Sequence, residues 1–200
     1  MCRSVVLALL ASTPILATSV FYSTDGSTTP GFTVGLFWQA SSSPGGTVVS
    51  VEMQFMSGLS GSVDSIVAAL SGSLSGVTFL LWSDAAGMAG ITLDTFSFNN
   101  VTGTPQLLTA TSTTHAQLTA GTLYWLEAVG PLPGLQTQTV NWYFASPAVN
   151  GTVEVENPIP AVLTNQSIAA FAVLGTQAPE PSLFWAVGVG LAGVLMRRRC

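Results

Sequence analysis

The chain has 200 residues, 48% of them hydrophobic and only 6% charged, with 20 glycines; that suits one sizeable core and is too short for two large domains. Its basic residues are Arg3, Arg197, Arg198 and Arg199, so from Val20 to Ala178 eight acids meet no Lys or Arg and the formal charge is −8. Neutralising phosphates takes Lys or Arg, so nucleic acid is excluded as a partner and anionic lipid surfaces are disfavoured. Cys2 and Cys200 sit at the two ends, which leaves the body without a disulfide, a thiolate ligand or a cysteine nucleophile.

The first segment, MCRSVVLALLASTPILATS, carries one early positive charge at Arg3 and an apolar stretch from Val5 to Leu16. Small residues at Ala17 and Ser19 then suit the −3 and −1 positions of a cut. This reads as a secretory signal peptide over residues 1–19, with the mature chain starting near Val20.

Residues 20–175 form the predicted domain. Ser, Thr, Gly and Val dominate, and short alternating runs replace any helical period. In TVVSVEMQFM, Val49, Val51, Met53 and Phe55 share one face while Ser50, Glu52 and Gln54 share the other, the mark of a half-buried strand. VDSIVAAL (63–70) is apolar enough for helix or strand, and its brevity between SGLSG and SGSLSG favours strand. Further strands are predicted at 77–83, 91–98, 122–129, 139–144, 152–156 and 168–174. The segments between them, among them SSSPGG, SDAAGMAG, PLPG and VNGT, supply the Gly, Pro, Asn and Asp that turns require. Seven or more short strands at this spacing predict an all-β fold, a jelly-roll-like β-sandwich.

Candidate chemistry in the body is sparse. His115 is the only histidine; it lies in a polar segment and reads as a surface residue. No Gly-x-Ser-x-Gly elbow accompanies it, so a serine triad is not supported, and one His without a body Cys gives no ordinary zinc site. Glu154 and Glu156 stand two apart on a strand, where a solvent-facing edge is expected, although their like charges would raise one pKa if they were poorly solvated. A glycosidase pair across the sandwich, Glu127 with Glu52 or Asp94, is the hydrolase alternative. Asp84 in WSDAAG is expected to close a turn through its carboxylate; calcium coordination there with backbone carbonyls is the rival role, without a D-x-D-x-D-G loop to support it. Trp38, Trp82, Trp125 and Trp142 fill cores or stack on sugars. Trp125 shares its predicted face with Leu123 and Val129, which favours the core. Trp82 ends a strand at a turn and is the candidate ligand platform. No catalytic residue, cofactor or metal ligand is assigned.

The chain closes with APEPSLFWAVGVGLAGVLMRRRC after the short linker GTQA. Ser182 to Met196 would span about 22 Å as a helix, a marginal membrane span, and Arg197 to Arg199 supply the positive cluster that stays cytoplasmic. The order Pro179-Glu180-Pro181, apolar stretch, Arg197-Arg198-Arg199 resembles the PEP-CTERM sorting signal of Gram-negative envelope and extracellular proteins. Cys200 after the arginines departs slightly from that pattern. The resemblance implies that residues 176–200 form a linker and sorting segment, that an exosortase is the processing partner, and that this segment holds the chain in the inner membrane only before processing.

A second resemblance covers residues 21–174. VTFLLWSDAAGMAG, then LTAGTLYWLEAV and NWYFA, are similar to the choice-of-anchor R type of extracellular domain, with Met88-Ala89-Gly90 in place of that family's Pro-Gly. It implies a surface β-sandwich without established enzymology. Together these readings predict an exported, structural or adhesive, non-enzymatic protein of the cell envelope or extracellular matrix. The alternative is a carbohydrate-binding module for exopolysaccharide, with an extracellular hydrolase third.

Overall fold

The computed structural model describes residues 17–42, 48–72, 76–129, 138–157 and 159–178. The expected signal peptide up to residue 16 and the expected sorting residues Pro179, Glu180, Pro181, Arg197, Arg198 and Arg199 lie outside them. Every regular element described is a strand: β1 (Thr18–Ser23), β2 (Phe32–Ser42), β3 (Val48–Met56), β4 (Gly61–Gly72), β5 (Gly76–Asp84), β6 (Ala89–Asn99), β7 (Gln106–Thr111), β8 (Gln117–Leu118), β9 (Leu123–Ala128), β10 (Gln138–Ala145), β11 (Asn150–Asn157), β12 (Ile159–Ser167) and β13 (Phe171–Gln177). The all-β expectation holds, and so does strand for residues 63–70.

The strands form two antiparallel layers. In the first, β4 is central: β13 and β10 line one of its edges, β7 and β8 the other, β1 extends beyond β13, and β2 beyond β10. In the second, the order is β12-β11-β3-β9-β5-β6. Strand β3 joins them, pairing with β2 only through Ser41–Val49 and Ser42–Val48 before entering the second layer. The layers meet through aromatic side chains. Phe79 of β5 stands edge-on to Trp142 of β10 at 4.8 Å, and Phe55 of β3 meets Phe171 of β13 at 5.7 Å. Such pairs across two inner faces define a sandwich core.

Alternation assigns the faces. From β3, Val51, Met53 and Phe55 enter this core; from β9, Tyr124, Leu126 and Ala128 do; from β11, Val153 does. Glu52, Gln54, Trp125, Glu127, Glu154 and Glu156 therefore fall on the far side of the second layer. Strand β1 begins at Thr18, and Thr18 and Ser19 pair with Thr176 and Gly175 of β13, so a cut after Ser19 removes the first two pairs of that ladder.

Candidate functional site

Two corrections to the sequence reading define the site. Strand β3 is not half-buried: Ser50 and Glu52 on its outer face are each 3% exposed. Strand β11 is not a solvent-facing edge: it lies between β3 and β12, and Glu154 is buried while Glu156 is exposed. Adjacent strands in register bring these acids together. Glu154 stands opposite Glu52, Glu52 opposite Glu127, and Glu127 opposite Leu80, one row across β11, β3, β9 and β5. Glu156 is aligned with Ser50 in the neighbouring row. Carboxylate oxygens of Glu52, Glu127 and Glu156 all lie within 4.8 Å of one another.

The hairpin of β5 and β6 covers this row. Its ladder shifts register on both sides of Trp82, and such irregularities re-aim a side chain. The Trp82 indole N–H donates to Glu127 Oε2 at 2.8 Å, and the Ala89 amide donates to the Glu154 carboxylate. At the base of the turn, where Ala86 has φ 57° and Gly87 φ 88°, Asp84 gathers three donors: Gly87 N–H at 3.1 Å, the Trp125 indole N–H at 2.8 Å and Gln54 Nε2 at 3.0 Å. Asp84 thus closes its turn as expected. It also anchors Trp125, which is fully buried but under the hairpin beside Glu127, not in the sandwich core; its expected partnership with Leu123 was right in parity and wrong in destination.

Burial raises the pKa of Glu52 to about 8, with the like charges of Glu127, Glu154 and Glu156 adding to it. Burial likewise raises Glu127, against the hydrogen bonds from Ser50 and Trp82, and raises Glu154. One oxygen of Glu52 and one of Glu154 are buried without any hydrogen-bond partner. Since the chain holds no Lys or Arg between residues 4 and 196, no basic side chain of the body can neutralise the cluster. Buried carboxylates in that position are either protonated or paired with an external cation.

The other candidate residues serve elsewhere. Asp94 faces the core side of β6 and accepts from the Thr95, Thr113, Thr114 and Ala116 amides and from the hydroxyls of Ser112 and Thr113, pinning the loop after β7. Glu127 and Glu52 do meet, but side by side in one sheet and not across the sandwich. At 6% and 3% exposure under Trp82 they present no surface to a sugar ring, which the glycosidase arrangement requires. His115 is exposed, with φ 53°, and its Nδ1–H donates to the Val63 carbonyl at 3.1 Å, with Asp64 Oδ1 3.4 Å away. All four body indoles have protein acceptors: Trp38 donates to Ser167 O and Trp142 to Ala170 O, in addition to the two pairs above. Trp82 and Trp38 are half-buried, Trp125 and Trp142 buried. A separate groove of about 610 Å³ is lined by Met56, Asp84, Leu93, Gln117, Thr122 and Tyr124, among others. Among the described residues no helix is long and apolar enough to cross a membrane; Ser182 to Met196 lie outside them.

Comparison with protein families matches residues 177–199 to the PEP-CTERM protein-sorting motif. The chain therefore carries the sorting signal of exported, exosortase-handled proteins, as its three-part tail indicated. No curated protein matches. Among solved structures, a CBM6 module from Clostridium stercorarium in complex with cellobiose is 14% identical, covering 65% of this chain and 92% of that one, with a TM-score of 0.33. A β-1,3-glucan binding CBM6 from Bacillus halodurans is 16% identical over 55% and 84%, also at 0.33. A CBM36 module in complex with calcium and xylotriose is 12% identical over 71% and 94%, again at 0.33. Likenesses this loose carry no argument about ligands, and the two-layer description above rests on the strand pairing and core contacts alone.

Proposed function

We propose that this chain works outside the cell as a structural or adhesive β-sandwich of the envelope or matrix, without catalysis, after an exosortase has removed its tail. The observation that carries this reading is the sorting motif that begins at Gln177, the last residue of β13. The tail is thus fused to a central element of the fold and not to a long tether. The choice-of-anchor R-like reading of residues 21–174 is part of the same proposal, as is transient inner-membrane anchoring by Ser182 to Met196. Replacing Pro179-Glu180-Pro181 with three alanines in a host that has an exosortase tests it. The expected outcome is retention in the membrane fraction; unchanged release would overturn the sorting half of the reading.

A second reading, binding of exopolysaccharide, is supported by the groove. Its lining mixes apolar Met56 and Leu93 with polar Gln117 and Thr122, the combination of apolar and polar groups found in ligand sites. In that reading Trp82, one residue from the groove-lining Ser83, supplies its accessible edge as a platform. A glycan array probed with the exported protein, with and without Trp82→Ala, separates the readings. Binding that depends on Trp82 favours the carbohydrate role; no binding leaves the structural one.

A further inference from the structure

We propose that Glu52, Glu127 and Glu156 hold a divalent, oxygen-preferring cation of the calcium class, with Ser50 and Glu154 beside it. This does not depend on the sorting tail. Three oxygens no further apart than 4.8 Å leave a point within about 2.8 Å of each, a small rotamer adjustment from the 2.3–2.6 Å of calcium–oxygen bonds. Glu52, 97% buried, contributes a carboxylate oxygen to this triangle and carries an oxygen that no protein donor satisfies. That is costly in a protein interior, and a group in this state marks a missing proton or ion. Glu154, equally buried and also with an unpartnered oxygen, stands opposite Glu52 on β11.

The donor set selects the ion. All the donors are oxygens, and no His or Cys is within the group, so zinc and copper are not favoured. Three carboxylates, one flanking carboxylate and the Ser50 hydroxyl, which lies 3.5 Å from Glu156 Oε2, suit the six to eight ligands of calcium. Magnesium demands near-octahedral geometry at about 2.0–2.1 Å, so a triangle this wide favours calcium. Glu156 is exposed and gives the ion a route in. Bound there, the cation would tie β9, β3 and β11 together, and through the hydrogen bonds of Glu127 and Glu154 it would fix the hairpin above. The unfolded chain has no such triangle, so binding favours the folded state.

Trp82 makes the site measurable, because its indole touches Glu127 and can sensitise terbium, a luminescent substitute for calcium. The exported protein, stripped with chelator, is titrated with terbium, with calcium and magnesium as competitors, and its melting is followed with and without millimolar calcium. The expected result is saturable tryptophan-sensitised emission at one ion per chain, displaced by calcium well before magnesium, and a melting midpoint several degrees higher with calcium. Glu156→Gln, at an exposed position that should not disturb folding, should weaken the ion at least tenfold. Glu52→Gln should abolish binding yet melt no lower than the stripped parent, because it replaces a buried acid with a neutral amide. Absence of both emission and a calcium-dependent midpoint in the parent would overturn the proposal, as would undiminished binding in Glu156→Gln and Glu52→Gln.

Discussion

At the level of single residues, the fold handles its acids in two opposite ways. Asp94 is buried, and burial works to raise its pKa, but hydrogen bonds from Ser112, Thr95, Ala116 and Thr113 outweigh this and hold it at about 2. A carboxylate held below its usual 3.8 stabilises the fold above that pH, and the contribution is lost as pH falls through 2. Glu52 is the reverse: with a folded pKa near 8 against an ordinary 4.5, its contribution is complete below 4.5 and is lost as pH rises through 8. In chelator, melting midpoints from pH 2 to 9 should therefore peak between about 4 and 5. Asp94→Ala should make the acid limb shallower, with Asp25 and Asp84, also lowered, supplying the rest, and destabilise by about 3 kcal/mol near neutrality, since several loop donors lose one charged acceptor. Glu52→Gln should make the alkaline limb shallower, with Glu127 and Glu154 supplying the rest. Trp82→Phe should cost the stripped protein about 1–2 kcal/mol by leaving Glu127 Oε2 without its donor. The sequence showed which residues share a face, Glu52 with Ser50 and Gln54 and Glu154 with Glu156, but it sent the face of Trp125, which Glu127 shares, to the core. The burial of these acids was not legible. It depends on the register irregularity at Trp82 and on which strand pairs with which, and neither leaves a local mark.

Among the elements, the strands with clean alternation were readable and the interrupted ones were not. β3, β5, β6, β9, β10 and β11 emerged from period-2 runs within a residue or two. β2 escaped because Gly35, with φ 93°, breaks its pattern and because Val34, Leu36 and Phe37 are all exposed. β12, with consecutive exposed residues Ala161 to Asn165, gives no alternation to detect. β4 was ambiguous for a physical reason: Ile66 to Leu70 are buried on both faces, with Val67 and Ala69 in small clusters outside the main core, and a doubly buried strand loses its period. The contact of β4 with β13 also imposes a side-chain limit. At Gly175, a methyl group would press into the Ser62 carbonyl oxygen and come within 2.7 Å of the Phe21 ring. Gly175→Ala should push the two strands apart and destabilise by about 1–3 kcal/mol, measurable by urea denaturation. Because the tail follows β13 directly, the same variant should also slow tail removal if processing requires a folded sandwich.

For the whole molecule, charge and processing dominate. With Arg3 and Arg197 to Arg199 as its only basic residues, a form trimmed at both ends should resist trypsin even in urea, so trypsin reports trimming and not folding. Thermolysin at room temperature reports folding, and the two-layer core predicts survival of the body; rapid digestion would contradict the packed sandwich. The sequence marked this level most directly, since sorting signals are read by other proteins as short linear patterns and need no tertiary context. The measurement closest to the central claim is the intact mass of the extracellular form made by a host with an exosortase. The account predicts a chain that starts near Val20, ends near Pro179 to Pro181 and lacks Arg197 to Arg199. An extracellular product that still carries those three arginines would contradict it.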